Sequence, residues 1–396
     1  MSFVPSASLT VPPAPIREIV AALPASKIGE VAMLGLGDPS VIPLWYGESD
    51  LPTPPFICEA VAEALKAGQT FYTFKRGIPM LRETLGAYLT GLHEKPVDAE
   101  RVIVTSAGMI AIMLTCQALV DPGDNVVIVS PVWPNINAAV EVMGGEARAV
   151  PLDRTPEGGW RLDLERLMAA CDARTKAVFV NSPSNPTGWT MSRAEIEDLL
   201  AFARRRGIWY VADEVYSRVV YDRRAAPSVL DLADPEDRVI VVNSFSKAWA
   251  MTGWRLGWMV APTDLHPIMD KLIEFNTSGA PTFLQPAGAV ALRDGEDFVA
   301  AMVQRCRTGR DIVVQGLSAF PRVRIAPPVG AFYAFFGVDG VTDSLGFAKE
   351  TLRRCKVGLA PGAAFGPAGE GALRLCFASA PERLRQAIER LAPMLG

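Results

Sequence analysis

"VVNSFSKAWAMTGWRLGW", residues 241–258, runs from an apolar, strand-like stretch into Ser244, Phe245, Ser246 and Lys247, with Arg255 eight residues further on. A lysine among serines and tryptophans at a strand end carries its charge in an awkward place, so this one needs a reason. The same form recurs upstream. "RVIVT" (101–105) precedes the helix-like "AIMLTCQALV" (111–120), and "NVVIVS" (125–130) precedes "NINAAVEVM" (135–143). "KAVFV" (176–180) precedes "SRAEIEDLLAFARRRG" (192–207), where Ser192 and Glu195 have capping-box spacing. "GIWYVAD" (207–213) and "RVIVVNS" (238–244) follow. Apolar runs separated by helices predict an α/β fold, with a mostly parallel mixed sheet and helices on both faces.

Beyond residue 285 the pattern changes. The long helical run "EDFVAAMVQRCRTGRDIVVQGLSAF" (296–320) leads to "VRIAPPVGAFYAFFGV" (323–338), a helix around "LGFAKETLRRC" (345–355), the strand "ALRLCFA" (372–378) and a last helix, "PERLRQAIERLAPML" (381–395). This reads as a smaller α+β domain. The expected division is 1–46, an N-terminal arm and part of the small domain; 47–285, the large domain; and 286–396, the small C-terminal domain.

Composition narrows the function. The 396 residues are 49% hydrophobic and 21% charged, with net charge −4, which excludes wholesale disorder. The nearest thing to a basic run, Arg204-Arg205-Arg206, sits at a helix end where cations complement the dipole, so no nucleic-acid partner is expected. The six cysteines are scattered with no C-x-x-C, as in a reducing compartment. The N-terminus lacks the pattern of a signal peptide and no apolar run reaches membrane-span length, so a cytoplasmic location away from membranes is expected. There are two histidines, His93 and His266, both expected at the surface. That argues against His-based catalysis and metal sites, and makes a lysine the candidate for proton transfer. "GLGDP" (35–39) lacks the full G-x-G-x-x-G of a dinucleotide loop.

In open α/β sheets ligands bind beyond the carboxyl ends of the strands. Five such ends deliver Ser106-Ala107-Gly108-Met109 opening a helix, Trp133, Asn185, Asp213 with Tyr216, and the Ser244–Lys247 segment. The ligand that fits them is aromatic, to stack on Trp133, and anionic at one end. It also has a basic ring atom to pair with Asp213 and can bond covalently to an amine. The helix start at Ala107, Gly108 and Met109, with Ser244, Ser246 and Arg255, suits a phosphate. Pyridoxal 5′-phosphate has all four properties.

The chain also resembles a known family. "VIPLWYGESDLPTP" (41–54), "YTFKRGIPMLRETL" (72–85), "DPGDNVVIVSPVWP" (121–134), "NSPSNPTG" (181–188), "ADEVY" (212–216), "SFSKAWAMTGWRLGW" (244–258) and "LAPGAAFGPAGEGALRLCFA" (359–378) are, in this order, similar to the class I/II aminotransferases, the aspartate-aminotransferase family of fold-type I pyridoxal-phosphate enzymes. The resemblance implies ping-pong transfer of an amino group between an L-amino acid and a 2-oxo acid. By motif, Lys247 resembles the Schiff-base lysine that also moves the substrate's α-proton, and Asp213 the carboxylate that keeps the pyridine nitrogen protonated. Tyr216 and Asn185 would bond the ring's phenolic oxygen, with Asn185 also facing the substrate carboxylate, and Trp133 would stack. Ala107, Gly108, Met109, Ser244, Ser246 and Arg255 resemble the phosphate cup. Tyr72 would reach the phosphate of the partner subunit, implying a homodimer with shared active sites. Arg374 resembles the clamp on the substrate's α-carboxylate, and Gly47 a backbone contact beside it.

A lyase, decarboxylase or racemase on the same fold stands as the alternative, and a non-catalytic pyridoxal-phosphate-sensing module as a remote one. For the lysine, Arg255 and partial burial are expected to lower its pKa. Substrate choice stays open. Some relatives open the helix with a lysine where this chain has Met109, and Met109, Trp45, Tyr46 and Phe332 suit neutral or aromatic side chains. Lys75 and Arg76, just after Tyr72, have two readings: one of them serves a distal carboxylate across a dimer, or both are solvated loop residues.

Overall fold

A computed structural model describes residues 16–396. The Pro-rich lead, 1–15, and with it most of the expected N-terminal arm, lies outside the described residues. The centre of the molecule is a seven-stranded sheet: β1 (Val102–Thr105), β2 (Asn125–Ser130), β3 (Glu146–Pro151), β4 (Thr175–Asn181), β5 (Trp209–Asp213), β6 (Val239–Ser244) and β7 (Gly257–Val260). Its order is β1-β7-β6-β5-β4-β2-β3. Neighbours from β6 to β3 run parallel, and β7 is antiparallel to both β6 and β1.

Alternation along each strand feeds two cores. Val102, Val104, Val127, Val178, Val239 and Val241 face one cluster, with Leu81 and Leu85 of the helix Pro79–Thr90 and Leu199 of Arg193–Arg206. Ile103, Ile128, Phe179, Val211, Ile240 and Val242 face the other, with Ile112 of the helix Gly108–Leu119 and Ile136 of Asn135–Val142. A sheet covered on both faces needs apolar residues at every position, so the strands read as unbroken runs in the sequence. The expected capping box at Ser192 and Glu195 is present, and Gly207 closes that helix in the left-handed region.

The chain after residue 295 builds a four-stranded antiparallel sheet, which includes Tyr333–Val338 and Ala372–Cys376. It is flanked by the helices Glu296–Ser318, Ser344–Cys355 and Pro381–Leu395. Its core cluster also takes in Ile28, Val31, Ile42, Leu44 and Trp45. Ile42–Pro43 pairs in parallel with Val357–Gly358. Trp45 lies flat on Gly358, where an added Cβ would sit 1.9 Å from the indole.

His93 departs from its expected surface position: its side chain is 4% exposed and its Nδ1 lies 3.1 Å from Asp231 Oδ1. Neighbouring Asp231 and Glu214 raise its pKa against the lowering effect of burial, which is the largest single influence.

Candidate active site

The carboxyl ends of β2, β4, β5 and β6 open into a cavity of about 450 Å³, a size typical of small-molecule sites. Five strand-end residues line it: Trp133, Asn185, Asp213, Ser244 and Lys247. β7 enters from the same end, with Gly257 opposite both Ser244 and Thr105. A Cβ on Gly257 would lie 2.7 Å from Gly108 N, 2.8 Å from Asn243 O and 2.9 Å from Ala107 C. All three are backbone atoms, so only glycine lets the helix start this close. Gly257→Ala is expected to destabilise the fold by roughly 1–3 kcal/mol and to weaken inorganic phosphate binding, both readable in thermal melts with and without phosphate.

That helix, Gly108–Leu119, begins at Ala107 with φ 87° and no side-chain cap. Its first N–H groups therefore have no partner within the helix. Gly108, Met109, Ser244, Ser246 and Arg255 all line the cavity. Ser246 N donates to Ser244 Oγ at 3.1 Å, and the two hydroxyls are 2.8 Å apart. Arg255 is exposed and donates to Thr252 O at 2.6 Å. Backbone N–H groups, hydroxyls and a guanidinium are donors of the kind that could hold a dianion.

Lys247 donates from Nζ to Gly47 O at 2.7 Å. It is enclosed by protein but open to the cavity, and burial brings its pKa down to about 8. The neighbouring charge that adds to this is Arg374, not Arg255 as expected, while Cys376, Glu48 and Asp213 act the other way. Asp213 is 5% exposed. Its Oδ1 takes the Val215 N–H at 3.3 Å, and burial pushes its carboxyl up to about 7. Arg374 is 2% exposed and buried between two rings, its guanidinium carbon 4.5 Å from the Tyr333 centroid and 4.9 Å from that of Phe365. It donates to Asn185 Oδ1 at 2.8 Å and to Trp45 O.

Gly47, Tyr216 and the residues above share this one cavity. Ala107 is buried behind it as the helix N-cap. Tyr72 is elsewhere, 94% exposed beside Phe71 in a separate depression with Thr277–Phe283.

Three expectations are corrected. Phe332 is buried in the core and Tyr333 lines the cavity instead, its hydroxyl 2.6 Å from that of Tyr216. Phe332 stands one residue before the strand Tyr333–Val338, whose first residue faces the cavity. Trp45 points into the small-sheet core and offers the site only its carbonyl. Arg76 is not a solvated loop cation but is half-buried, paired with Asp270 at 3.2 Å, Glu100 at 3.6 Å and His266 Nδ1 at 2.8 Å, whereas Lys75 is an exposed loop residue that pairs with Glu274. Sequence reading also missed Asn181, Asn135, Ser26 and Ile28 in the lining. Asn181 had a signal, since it ends β4 and starts the "NSPSNPTG" turn, where its Oδ1 takes the Asn185 N–H at 2.7 Å. Ser26 and Ile28 had none.

Residues 39–391 match the model of the family described as aminotransferase class I and II. The aspartate aminotransferase of Thermotoga maritima is 34% identical over 382 residues, 95% of this chain and 98% of its own length. The arginine–pyruvate transaminase of Pseudomonas aeruginosa is 33% identical over 364 residues, covering 92% and 89%. Among solved structures, a single mutant of Thermus thermophilus aspartate aminotransferase superposes with a TM-score of 0.89 at 33% identity, over 96% of this chain and 100% of that one.

Proposed function

The chain belongs to the class I and II aminotransferases, enzymes that move an amino group between an amino acid and a 2-oxo acid, and from that premise we propose that it works with pyridoxal 5′-phosphate held at Lys247. The residues present fit that group. Asp213 is a buried carboxylate aimed into the cavity with a single long backbone hydrogen bond, suited to a cationic ring nitrogen. The anion donors line the same cavity, Trp133 offers an aromatic face, and Lys247 offers an amine of lowered pKa. When bound, the cofactor supplies an aldehyde to receive the amino group and a protonated ring that withdraws electrons from the substrate's α-carbon.

The chain's own residues do the rest. Asp213 keeps the ring nitrogen protonated, its carboxylate stabilised by the cation it faces. Arg374 takes the substrate α-carboxylate with its planar fork, and Asn185 holds that fork in place. Tyr216 offers its hydroxyl to the ring oxygen, oriented by Tyr333. Lys247 Nζ removes the proton from the substrate α-carbon and gives it back. Gly47 O positions that nitrogen, and its glycine is required because a Cβ would lie 1.9 Å from Tyr333 Oη.

The observation that carries this reading is the amine of Lys247, its pKa lowered by burial, lining one cavity with Asp213 and Arg374. The test is the visible spectrum of the protein loaded with pyridoxal phosphate. The band should fade with an amino acid and return with a 2-oxo acid. Release of ammonia or carbon dioxide, or a racemised amino acid, would replace transamination by one of the other chemistries.

A pH prediction follows from the lowered pKa. A lysine with pKa about 8 is half uncharged at pH 8, whereas an ordinary lysine reaches that point only near 10.5. In the cofactor-free protein, trace acetylation of Lys247 should therefore rise to its midpoint near pH 8, ahead of every exposed lysine. A midpoint near 10.5 would sink the assignment of a lowered pKa.

The same reading makes the protein a homodimer with shared sites. Supporting it, Tyr72 lies far outside its own cavity, on a surface with Phe71 82%, Phe74 65% and Phe275 82% exposed. A fully active monomer in sedimentation would refute this. Among the described residues no helix is long and apolar enough to cross a membrane, and all six cysteines are free, which supports a cytoplasmic location. For the division into a large domain, 47–285, and a small one built from 286–396 with the segment before 47, the core that joins Ile28–Trp45 to Met302–Leu395 supports the small unit, whereas Ala287, Ala289, Ala291 and Leu292 of the helix Gln285–Asp294 pack in the large core and move the boundary to about residue 295.

A further inference from the structure

We propose that the site selects amino donors with a neutral, mainly apolar side chain and disfavours dicarboxylic ones, because its lining leaves no cation free for a second carboxylate. The inference rests on the reading that Arg374 takes the α-carboxylate. Three cations line the cavity among the described residues: Lys247, Arg255 and Arg374. Each is committed. Lys247 is the amine, Arg255 belongs to the set of anion donors, and Arg374 is locked by Asn185 and Trp45 O between two rings.

Apart from Asp213, which faces the ring nitrogen, the remaining wall is uncharged. Ile28, Tyr46, Met109 and Trp133 give it an apolar surface, and Ser26 and Asn135 add hydroxyl and amide groups. A second carboxylate on the substrate would lose water there without gaining a cation, which is unfavourable, whereas an aliphatic, thioether or aromatic side chain buries apolar surface at a gain.

Cations just outside the wall do not change this. Lys27 lies between Ser26 and Ile28, but its Nζ donates to Ala363 O at 3.2 Å. The loop that carries Tyr72 towards a second copy also carries Lys75 and Arg76, and both are engaged within their own subunit. To serve a neighbour's substrate, Arg76 would have to leave Asp270 and Glu100 together, 3.2 and 3.6 Å away. Glu48, close enough to raise the pKa of Lys247, adds negative charge near the site and makes a second carboxylate less welcome still.

The test uses the loaded enzyme and two readouts. The first is the rate at which leucine, methionine, phenylalanine, aspartate and glutamate bleach the visible band. The second is calorimetric binding of two unreactive acids, maleate and 4-methylpentanoate. Neutral donors should bleach the band at least about tenfold faster than acidic ones, and 4-methylpentanoate should bind more tightly than maleate. Met109→Lys should raise maleate affinity and aspartate efficiency by roughly 10- to 100-fold, as expected of a charge-assisted hydrogen bond. Aspartate or glutamate equal to the neutral donors, or maleate bound as tightly as 4-methylpentanoate, would overturn the proposal. Both comparisons are made on the unaltered protein, so they decide it even if the variant does not fold. If no amino acid bleaches the band, the transamination reading fails, and the two binding affinities still decide the selectivity.

Discussion

Lys247→Ala is expected to lower turnover by about 10⁴-fold or more, because it removes the site's covalent amine and its general base together. No other group is placed to substitute. Neither histidine lines the cavity, Asp213 is occupied with the ring nitrogen, and burial holds the Tyr216 hydroxyl well above its ordinary range. The fold should survive, since the side chain makes one hydrogen bond, to Gly47 O, and its burial disfavours the charged form. Turnover is best read in a single half-reaction, with a thermal melt as the control. Added methylamine should restore part of the rate, because a small amine can enter the space left by the side chain. A purely structural lysine would show no such rescue.

Arg374→Ala is expected to cut kcat/KM by about 10²- to 10⁴-fold, mostly through KM. Two charge-assisted hydrogen bonds to a carboxylate are each worth about 1.5–3 kcal/mol, and a group that binds ground and transition states alike acts on KM. Arg374→Lys should recover only part of the loss, since an ammonium keeps the charge and not the planar fork. Simple amines that lack the α-carboxylate provide the discriminating control. Their already slow reaction should be nearly indifferent to either substitution, whereas general damage to the site would slow them equally. The Asn185 side chain, which accepts from Arg374 at 2.8 Å, would lose that partner, so some fall in kcat is included in the expected range.

Lys247 and Asp213 were legible for a local reason: each stands at or just after the end of an apolar run, and strand ends are where ligands meet an open sheet. Residues set by distant partners were not. His93 was read as exposed because its partner, Asp231, lies 138 residues away. Arg76 was read as available because Asp270 and His266 follow it by nearly two hundred residues. Arg374 alternates with Leu373 and Leu375, which enter the core, and so meets the cavity. In "GAFYAFF", Phe332 precedes the first residue of the strand and Tyr333 takes the facing position, a boundary that the aromatic run does not mark. Ser26 and Ile28 reach the cavity only because residues 28–45 pack on the far end of the chain, and no local pattern encodes that return.

The central claim is that Lys247 carries the cofactor, and borohydride trapping tests it most directly. The protein is loaded with pyridoxal phosphate, reduced, digested and mapped by mass spectrometry. The account predicts one phosphopyridoxyl group per chain, on the peptide that contains Lys247, and its disappearance when an amino acid is added before reduction. A label on another lysine, or none on Lys247 in a protein that binds the cofactor, would contradict it.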